Sequence, residues 1–134
     1  MNFLIKKIKK YPVSVMYIIC IWVLCLMDVP ETPLSHVRFI DKWTHIVMYL
    51  GTCLTIWVEY RRSHVRPQWL RLIVWAWLMP ALMSGLIEIV QATCTGGRRS
   101  GEWMDFYANS LGCTLAAIIG LVLMKWVNVG HKMR

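Results

Sequence analysis

Four long apolar runs alternate with short polar segments along the chain. The runs cover roughly residues 12–28, 41–60, 70–92 and 104–127. A membrane-spanning helix needs about 20 apolar residues, with a range of about 17–25, so the last two runs suffice and the first two need their flanking residues. Because backbone groups in lipid must pair within their own segment, we expect helices rather than strands. The pattern predicts an all-α membrane protein with four transmembrane helices in an antiparallel bundle.

The cations fall mostly on one side of these predicted spans. Eleven of the fifteen Lys and Arg residues precede the first run, separate the second from the third, or lie at the C-terminal end of the fourth. Cytoplasmic loops hold an excess of Lys and Arg, so we expect both termini in the cytoplasm. No small-residue cleavage signature follows the first run, which therefore predicts a retained anchor rather than a signal peptide.

The composition agrees with an integral membrane protein. A chain of 134 residues is expected to form one domain, residues 1–134. Its hydrophobic content of 57% and mean hydropathy of +0.49 are too high for an ordinary soluble domain. The net charge of +8 lies in short clusters between apolar runs, so membrane lipids are the expected partners and nucleic acid is not. The sequence contains no C-x-x-C pair of the kind that binds zinc. We expect no cofactor and no metal.

Polar residues gather at the outer ends of three predicted helices. In an antiparallel bundle, the start of the second helix, the end of the third and the start of the fourth share one membrane face. Residues i and i+4 lie about 40° apart around a helix, and a charge inside the membrane costs about 3 kcal/mol or more. The polar faces should therefore point into the bundle. The predicted cluster is Asp41, Lys42, His45, Tyr49, Glu88, Gln91, Arg98, Arg99, Asp105 and Asn109.

Simpler interpretations exist for most of this cluster. The two aspartates are also favoured at helix N-termini by the macrodipole, and the two amides are also suited to hydrogen bonds between helices. His45 is also compatible with a satisfied buried histidine, and the arginines with solvated loop cations or phosphate anchors. Glu88 is the hardest to explain in this way, because it follows a long run without charge.

A stripe of small residues on the fourth predicted helix indicates close helix packing. The stripe consists of Ala108, Gly112, Ala116 and Gly120. Their spacing of four places them on one face, where another backbone can approach closely. We expect the third helix as the partner, through Ala81 and Gly85, because a short connection favours antiparallel neighbours. Pro80 is expected to kink that third helix.

An ordered set of motifs runs through this region. It reads Asp41-Lys42-x-x-His45-x-x-x-Tyr49-x-Gly51, Glu88-x-x-Gln91, Arg98 or Arg99, and Asp105-x-x-x-Asn109-x-x-Gly112. Over about residues 41–120 the chain resembles the VanZ-like family of small bacterial membrane proteins, named after a teicoplanin resistance determinant. Family members often carry a proline between the Gln and the Arg, where this chain has residues 93–97, so either arginine matches the family arginine. The resemblance implies a role at the outer face of the bacterial cytoplasmic membrane, toward lipoglycopeptides or envelope lipids.

Three functions fit this sequence. The favoured one is a binding protein that captures the polar head of an envelope lipid or lipoglycopeptide, linked to glycopeptide resistance. The second is an intramembrane hydrolase or transferase acting on a lipid-linked phosphate, with His45 as general base or nucleophile, or with a divalent metal held by the acids and His45. The sequence contains no H-E-x-x-H and no G-x-S-x-G motif to support it. The third is a structural assembly partner, and the ligand and oligomeric state stay open.

Overall fold

The computed structural model describes residues 1–27, 33, 39–66, 68–97 and 101–133, and the regular elements in these ranges are helices. This confirms the all-α prediction. We label the helices α1 (Asn2–Lys10), α2 (Pro12–Leu26), α3 (Ile40–Ser63), α4 (Trp69–Cys94) and α5 (Trp103–Lys132). α2 to α5 correspond to the four apolar runs, whereas α1 falls in the lysine-rich segment before the first run.

Two helices have the length and hydropathy of membrane spans. They are Trp69–Cys94 and Trp103–Trp126, and α1 with α2 makes a third candidate only as a bent pair whose axes meet at 96°. α4 and α5 also expose large apolar side chains along their length, among them Leu82, Leu86, Leu111 and Ile118. Exposed apolar faces of this extent are typical of contact with lipid rather than water. The helices therefore suggest a membrane protein.

The disturbance predicted at Pro80 takes the form of a π-helical turn. α4 consists of the α-helical segment Trp69–Ile73, the π turn Val74–Leu78 and the α-helical segment Met79–Cys94. The Met79 N–H donates to the carbonyl of Val74, five residues earlier. Because proline has no N–H, one α-helical bond is missing at this point, and the wider turn lets the helix continue past it.

α3 and α5 form the most extensive helix pair, and they run parallel. A Cβ at Gly112 would lie 2.5 Å from the Ile46 carbonyl oxygen, and one at Gly120 would lie 2.6 Å from the Trp57 ring. Later residues of α5 thus meet later residues of α3. Ala116 between them is fully buried. The two glycines allow a backbone approach that a side chain would prevent.

The predicted partner of the small-residue stripe is therefore wrong. The stripe was expected to face the third span, which is α4, through Ala81 and Gly85. Gly112 and Gly120 instead face α3. A Cβ added at Gly85 of α4 would lie 3.4 Å from the ring of Phe106 on α5. The short loop does make α4 and α5 neighbours. Asp105 and Asn109 of α5 also contact Lys42 and His45 of α3, which agrees with the pairing of the two glycines with α3.

Glu59 of α3 caps the N-terminus of α2. The Glu59 carboxylate accepts the backbone N–H groups of Val13 and Ser14, each at 3.0 Å, and the Ser14 hydroxyl at 2.5 Å. The first N–H groups of a helix have no partner within it, and α2 has no capping side chain of its own. Glu59 therefore joins the C-terminal part of α3 to the start of α2. We call this end of the bundle the Glu59 end.

Candidate functional site

Lys42 lies at the opposite end of the bundle, where α3 and α5 begin. Its Nζ donates to Asp41 at 3.2 Å and to Glu102 at 2.8 Å, and it also donates to Asp105. The side chains of Asp41 and Glu102 are 62% and 53% exposed, whereas that of Asp105 is 9% exposed. One ammonium group thus meets three carboxylates, and the group is net acidic. We call these four residues the Lys42 cluster.

His45 lies one turn further along α3 and connects the cluster to two buried polar residues. Its Nδ1 is 3.0 Å from the amide oxygen of Asn109, and the Asn109 amide nitrogen donates to the Ser84 hydroxyl at 2.8 Å. Because the amide oxygen of Asn109 can only accept, this contact is a hydrogen bond when Nδ1 carries the hydrogen. All three side chains are buried. The chain of hydrogen bonds therefore joins α3, α5 and α4.

The other ring nitrogen of His45 faces the acids. Its Nε2 lies 3.7 Å from Asp41 Oδ1 and 3.7 Å from Asp105 Oδ2. These three residues each offer one ligand atom within 4.8 Å of the others, and oxygen and imidazole ligands suit several divalent metals. Lys42 donates to the other oxygen of each carboxylate. A metal would therefore have to compete with the ammonium group for the same two acids.

Glu88 ties the end of α4 to the segment that begins α5. Its Oε2 accepts the backbone N–H of Glu102 at 2.8 Å. Its Oε1 is buried and has no hydrogen-bond partner in the described part of the chain. A Cβ at Gly101 would clash with the carbonyl oxygen of Glu88, so glycine allows this close contact. Glu88 thus reaches the Lys42 cluster through the backbone of Glu102.

Gln91 and Tyr49 lie apart from the Lys42 cluster. The Gln91 amide nitrogen donates to the carbonyl of Cys25 at 2.6 Å, which links α4 to the end of α2. Tyr49 is fully buried in the apolar core with Cys53 and Ile87, and its hydroxyl makes no hydrogen bond of normal geometry to the described residues. Tyr49 shares a helix face with His45, but it lies one turn deeper, and its ring belongs to the apolar core.

The predicted loop arginines, Arg98 and Arg99, lie outside the described residues. Three participants were not among the predicted site residues. Ser84 carries the hydroxyl group in question and lies in a long apolar run. Its spacing of four from Glu88, which places both residues on one face of the helix, was the available sequence signal. Glu102 precedes the last helix, so helix periodicity gave no signal for it. Backbone acceptors such as the carbonyl of Cys25 have no sequence signal.

An apolar groove opens beside the Lys42 cluster. It lies between α2 and α3, has a volume of about 490 Å³ and is lined by residues that include Tyr17, Ile40, Trp43 and Gly51. Ile40 and Trp43 flank Asp41 and Lys42 in the sequence, so the groove begins next to the cluster. The groove is open at the surface of the bundle, and its lining includes Ile40, the sequence neighbour of Asp41.

The site has the chemistry of a polar binding surface. Carboxylates accept hydrogen bonds and attract cations, and Lys42 is already shared among three of them. Ser84 is separated from His45 by Asn109, so it is not placed as a nucleophile beside a base. No family model, no curated protein and no solved structure matches the chain.

Proposed function

We propose that the chain is a four-span, VanZ-like protein of the bacterial cytoplasmic membrane, with α2 to α5 as an antiparallel bundle. Glu88 bonds to the start of α5 and Trp77 donates to Thr114 at 3.1 Å, which supports opposite directions for α4 and α5. α3 has the length of a span, and its charged residues lie near its two ends. Cations concentrate at the Glu59 end, so the positive-inside rule favours cytoplasmic termini. The Lys42 cluster would then face the outside.

We infer that this outer end binds an envelope amphiphile. The observation that carries the proposal is the position of Asp41, whose exposed carboxylate belongs to the Lys42 cluster while its neighbour Ile40 lines the groove. A polar head bound at the cluster would leave its apolar chain beside the groove, in contact with lipid. Such an arrangement suits a molecule that already resides in the outer leaflet.

The charge of the cluster favours one kind of head. Three carboxylates surround one ammonium group, so a head with a cationic amine or several hydrogen-bond donors fits better than a bare phosphate. An amine-bearing lipid or lipoglycopeptide has this chemistry, in line with the resemblance to a teicoplanin resistance family. The two loop arginines are predicted to add contacts to carboxylate or phosphate groups of the same ligand.

Removing the exposed acids tests the binding proposal. Asp41→Asn with Glu102→Gln takes away two charges, and because both side chains are more than half exposed, the fold should tolerate the change. We expect an amine-bearing lipoglycopeptide to bind the full-length protein in nanodiscs about tenfold more weakly, which corresponds to about 1.4 kcal/mol. Gly51→Leu, which fills the groove, should weaken binding separately.

The matched control changes a charge at the other end. Lys132→Gln alters an exposed side chain near the end of α5 and should leave binding unchanged. When the variants are expressed in cells, their ranking by susceptibility to the lipoglycopeptide should follow their ranking by binding affinity. Folded variants that bind as tightly as the unmodified chain would refute the proposal.

A structural role is supported by a different observation. Lys42, Asn109 and Glu88 all bond to groups on other segments of the chain, as expected of a cluster that only locks helices together. In that case every substitution in the cluster should reduce expression and thermal stability in proportion to any loss of resistance. A variant that lost binding at unchanged stability would exclude this alternative.

The hydrolase or transferase alternative rests on His45. Its buried ring is held by Asn109 and faces two carboxylates, a setting compatible with general base catalysis. Purified protein would be incubated with lipid-linked phosphates and a range of divalent metals, with His45→Ala as control. Turnover that is lost in His45→Ala would support catalysis, and absence of turnover would exclude it for these substrates.

A further inference from the structure

The N-terminal helix α1 presents an apolar face that nothing in the described chain covers. Leu4, Ile5 and Ile8 are 64%, 43% and 50% exposed, and α1 contains no buried residue. Spacings of three and four residues place these side chains on one face. Lys9 borders this face next to Ile5, and Lys6 lies about 60° further around the helix, so the helix is amphipathic.

Two lysine side chains of α1 reach toward the bundle. Lys7 Nζ lies 5.2 Å from the centroid of the Trp75 ring, and Lys10 Nζ lies 3.4 Å from His64 Nε2. Lys7 and Lys10 are three apart and share a face, and that face is turned toward α4 and the end of α3. The apolar face, on the other side of the helix, is consequently turned away from the bundle.

The direction of α1 distinguishes it from the other helices. It meets α2 at 96°, so it lies across the axis of the helices that form the bundle. If α4 and α5 span a membrane, α1 lies close to the membrane plane at the Glu59 end. Interfacial helices combine this orientation with a lysine-rich face and large apolar side chains on the other face.

We propose that α1 docks on the leaflet at the Glu59 end and that anionic phospholipid is its partner. Leu4, Ile5 and Ile8 enter the boundary between headgroups and acyl chains, and Lys6 and Lys9 lie against lipid phosphates. Charge complementarity selects this partner, since α1 has four lysines and no acid. The proposal rests on the membrane placement of α4 and α5, but not on ligand binding at the Lys42 cluster.

Hydrogen exchange of the full-length protein in nanodiscs tests this docking. Discs of phosphatidylcholine alone are compared with discs that also contain phosphatidylglycerol. We expect the amides of α1 to exchange about tenfold more slowly in the anionic discs, whereas those of α5 exchange equally in both. Added salt should remove most of the difference, because it screens the lysines.

Variants separate the charged contribution from the apolar one. Lys6→Glu with Lys9→Glu should abolish the difference between the two discs, and Leu4→Ser with Ile8→Ser should speed exchange of α1 in both. Lys132→Glu is the matched control and should change neither. If a variant fails to fold, the comparison of the unmodified chain in the two discs still decides.

Two results would overturn the proposal. One is exchange in α1 that does not depend on the charge of the lipid. The other is protection that appears only when two copies share a disc, because the face would then be covered by a second copy. Neither result bears on ligand binding at the Lys42 cluster, so the two proposals fail separately.

Discussion

Lys42 of α3 and Asp105 of α5 form a hydrogen-bonded ion pair that joins the starts of two parallel helices. The side chains are only 20% and 9% exposed, so Lys42→Met leaves a nearly buried carboxylate without its cation. Hydrogen bonds to charged groups contribute about 1.5–3 kcal/mol. We expect the free energy of unfolding to fall by about this amount, measured by titrating the protein in mild detergent with sodium dodecyl sulfate.

A second substitution tests whether the two groups are coupled. Lys42→Met with Asp105→Asn removes both charges, and its loss of stability should be smaller than the sum of the two single losses. Lys125→Met changes an exposed cation elsewhere on α5 and should shift stability by no more than about 0.5 kcal/mol. Strictly additive losses would show that the ion pair does not hold α3 and α5 together.

The close approach of α3 and α5 gives a prediction about glycine. In Gly112→Ala the new methyl group would lie 2.5 Å from the Ile46 carbonyl oxygen, so the helices must separate. Overpacking of this kind costs about 1–3 kcal/mol. Gly130→Ala meets no atom within 4 Å and should be neutral or stabilising by up to about 1 kcal/mol. Unfolding titrations of both variants check the contrast, and equal effects would contradict the close approach of α3 and α5 at Gly112.

The number and approximate bounds of most helices could be predicted from the apolar runs in the sequence. α2 to α5 follow from runs of apolar residues, because burial or lipid contact demands them. α1 did not follow, since nine residues with four lysines resemble a charged terminus as much as a helix. The partner of Gly112 and Gly120 also did not follow. The short connection between α4 and α5 favours α4 as the partner of these glycines. The pairing with α3 accompanies polar contacts between residues far apart in the sequence.

The site was predictable to the extent that it depends on helix periodicity. Spacings of four placed Asp41 with His45 and Asp105 with Asn109, and these residues lie together in the structure. Helix periodicity gives the direction of a side chain around the helix axis but not its depth in the bundle. Tyr49 was therefore grouped with these residues although it lies in the apolar core. The central position of Lys42 was also not predictable, because a long flexible side chain has many reachable partners. Whether the group binds a ligand stays a prediction.

The contact between Glu59 and the start of α2 gives a prediction about capping. Glu59→Ala removes the acceptor of two backbone N–H groups and of the Ser14 hydroxyl. Loss of an N-terminal cap costs about 0.5–2 kcal/mol, and we expect a value in the upper half of this range. Glu59→Gln keeps one carbonyl acceptor and should lose less. Thermal unfolding in detergent ranks the two variants, and a Glu59→Ala variant as stable as the unmodified chain would show that the cap is unimportant.

The hydrogen-bond chain from Ser84 through Asn109 to His45 predicts the tautomer of the histidine. Because Asn109 donates to Ser84 and turns its oxygen to the ring, His45 should carry its hydrogen on Nδ1. Nitrogen-15 shifts of labelled histidine, assigned by comparison with His45→Gln, report this directly. Ser84→Ala removes the acceptor that fixes the amide, leaves a buried donor unpaired and should cost about 1–3 kcal/mol. In that variant the amide is free to reverse, and the Nδ1-protonated form should decrease. A hydrogen on Nε2 in the unmodified protein would instead mean that the ring donates to Asp41 or Asp105, and that the acids rather than Asn109 determine its tautomer.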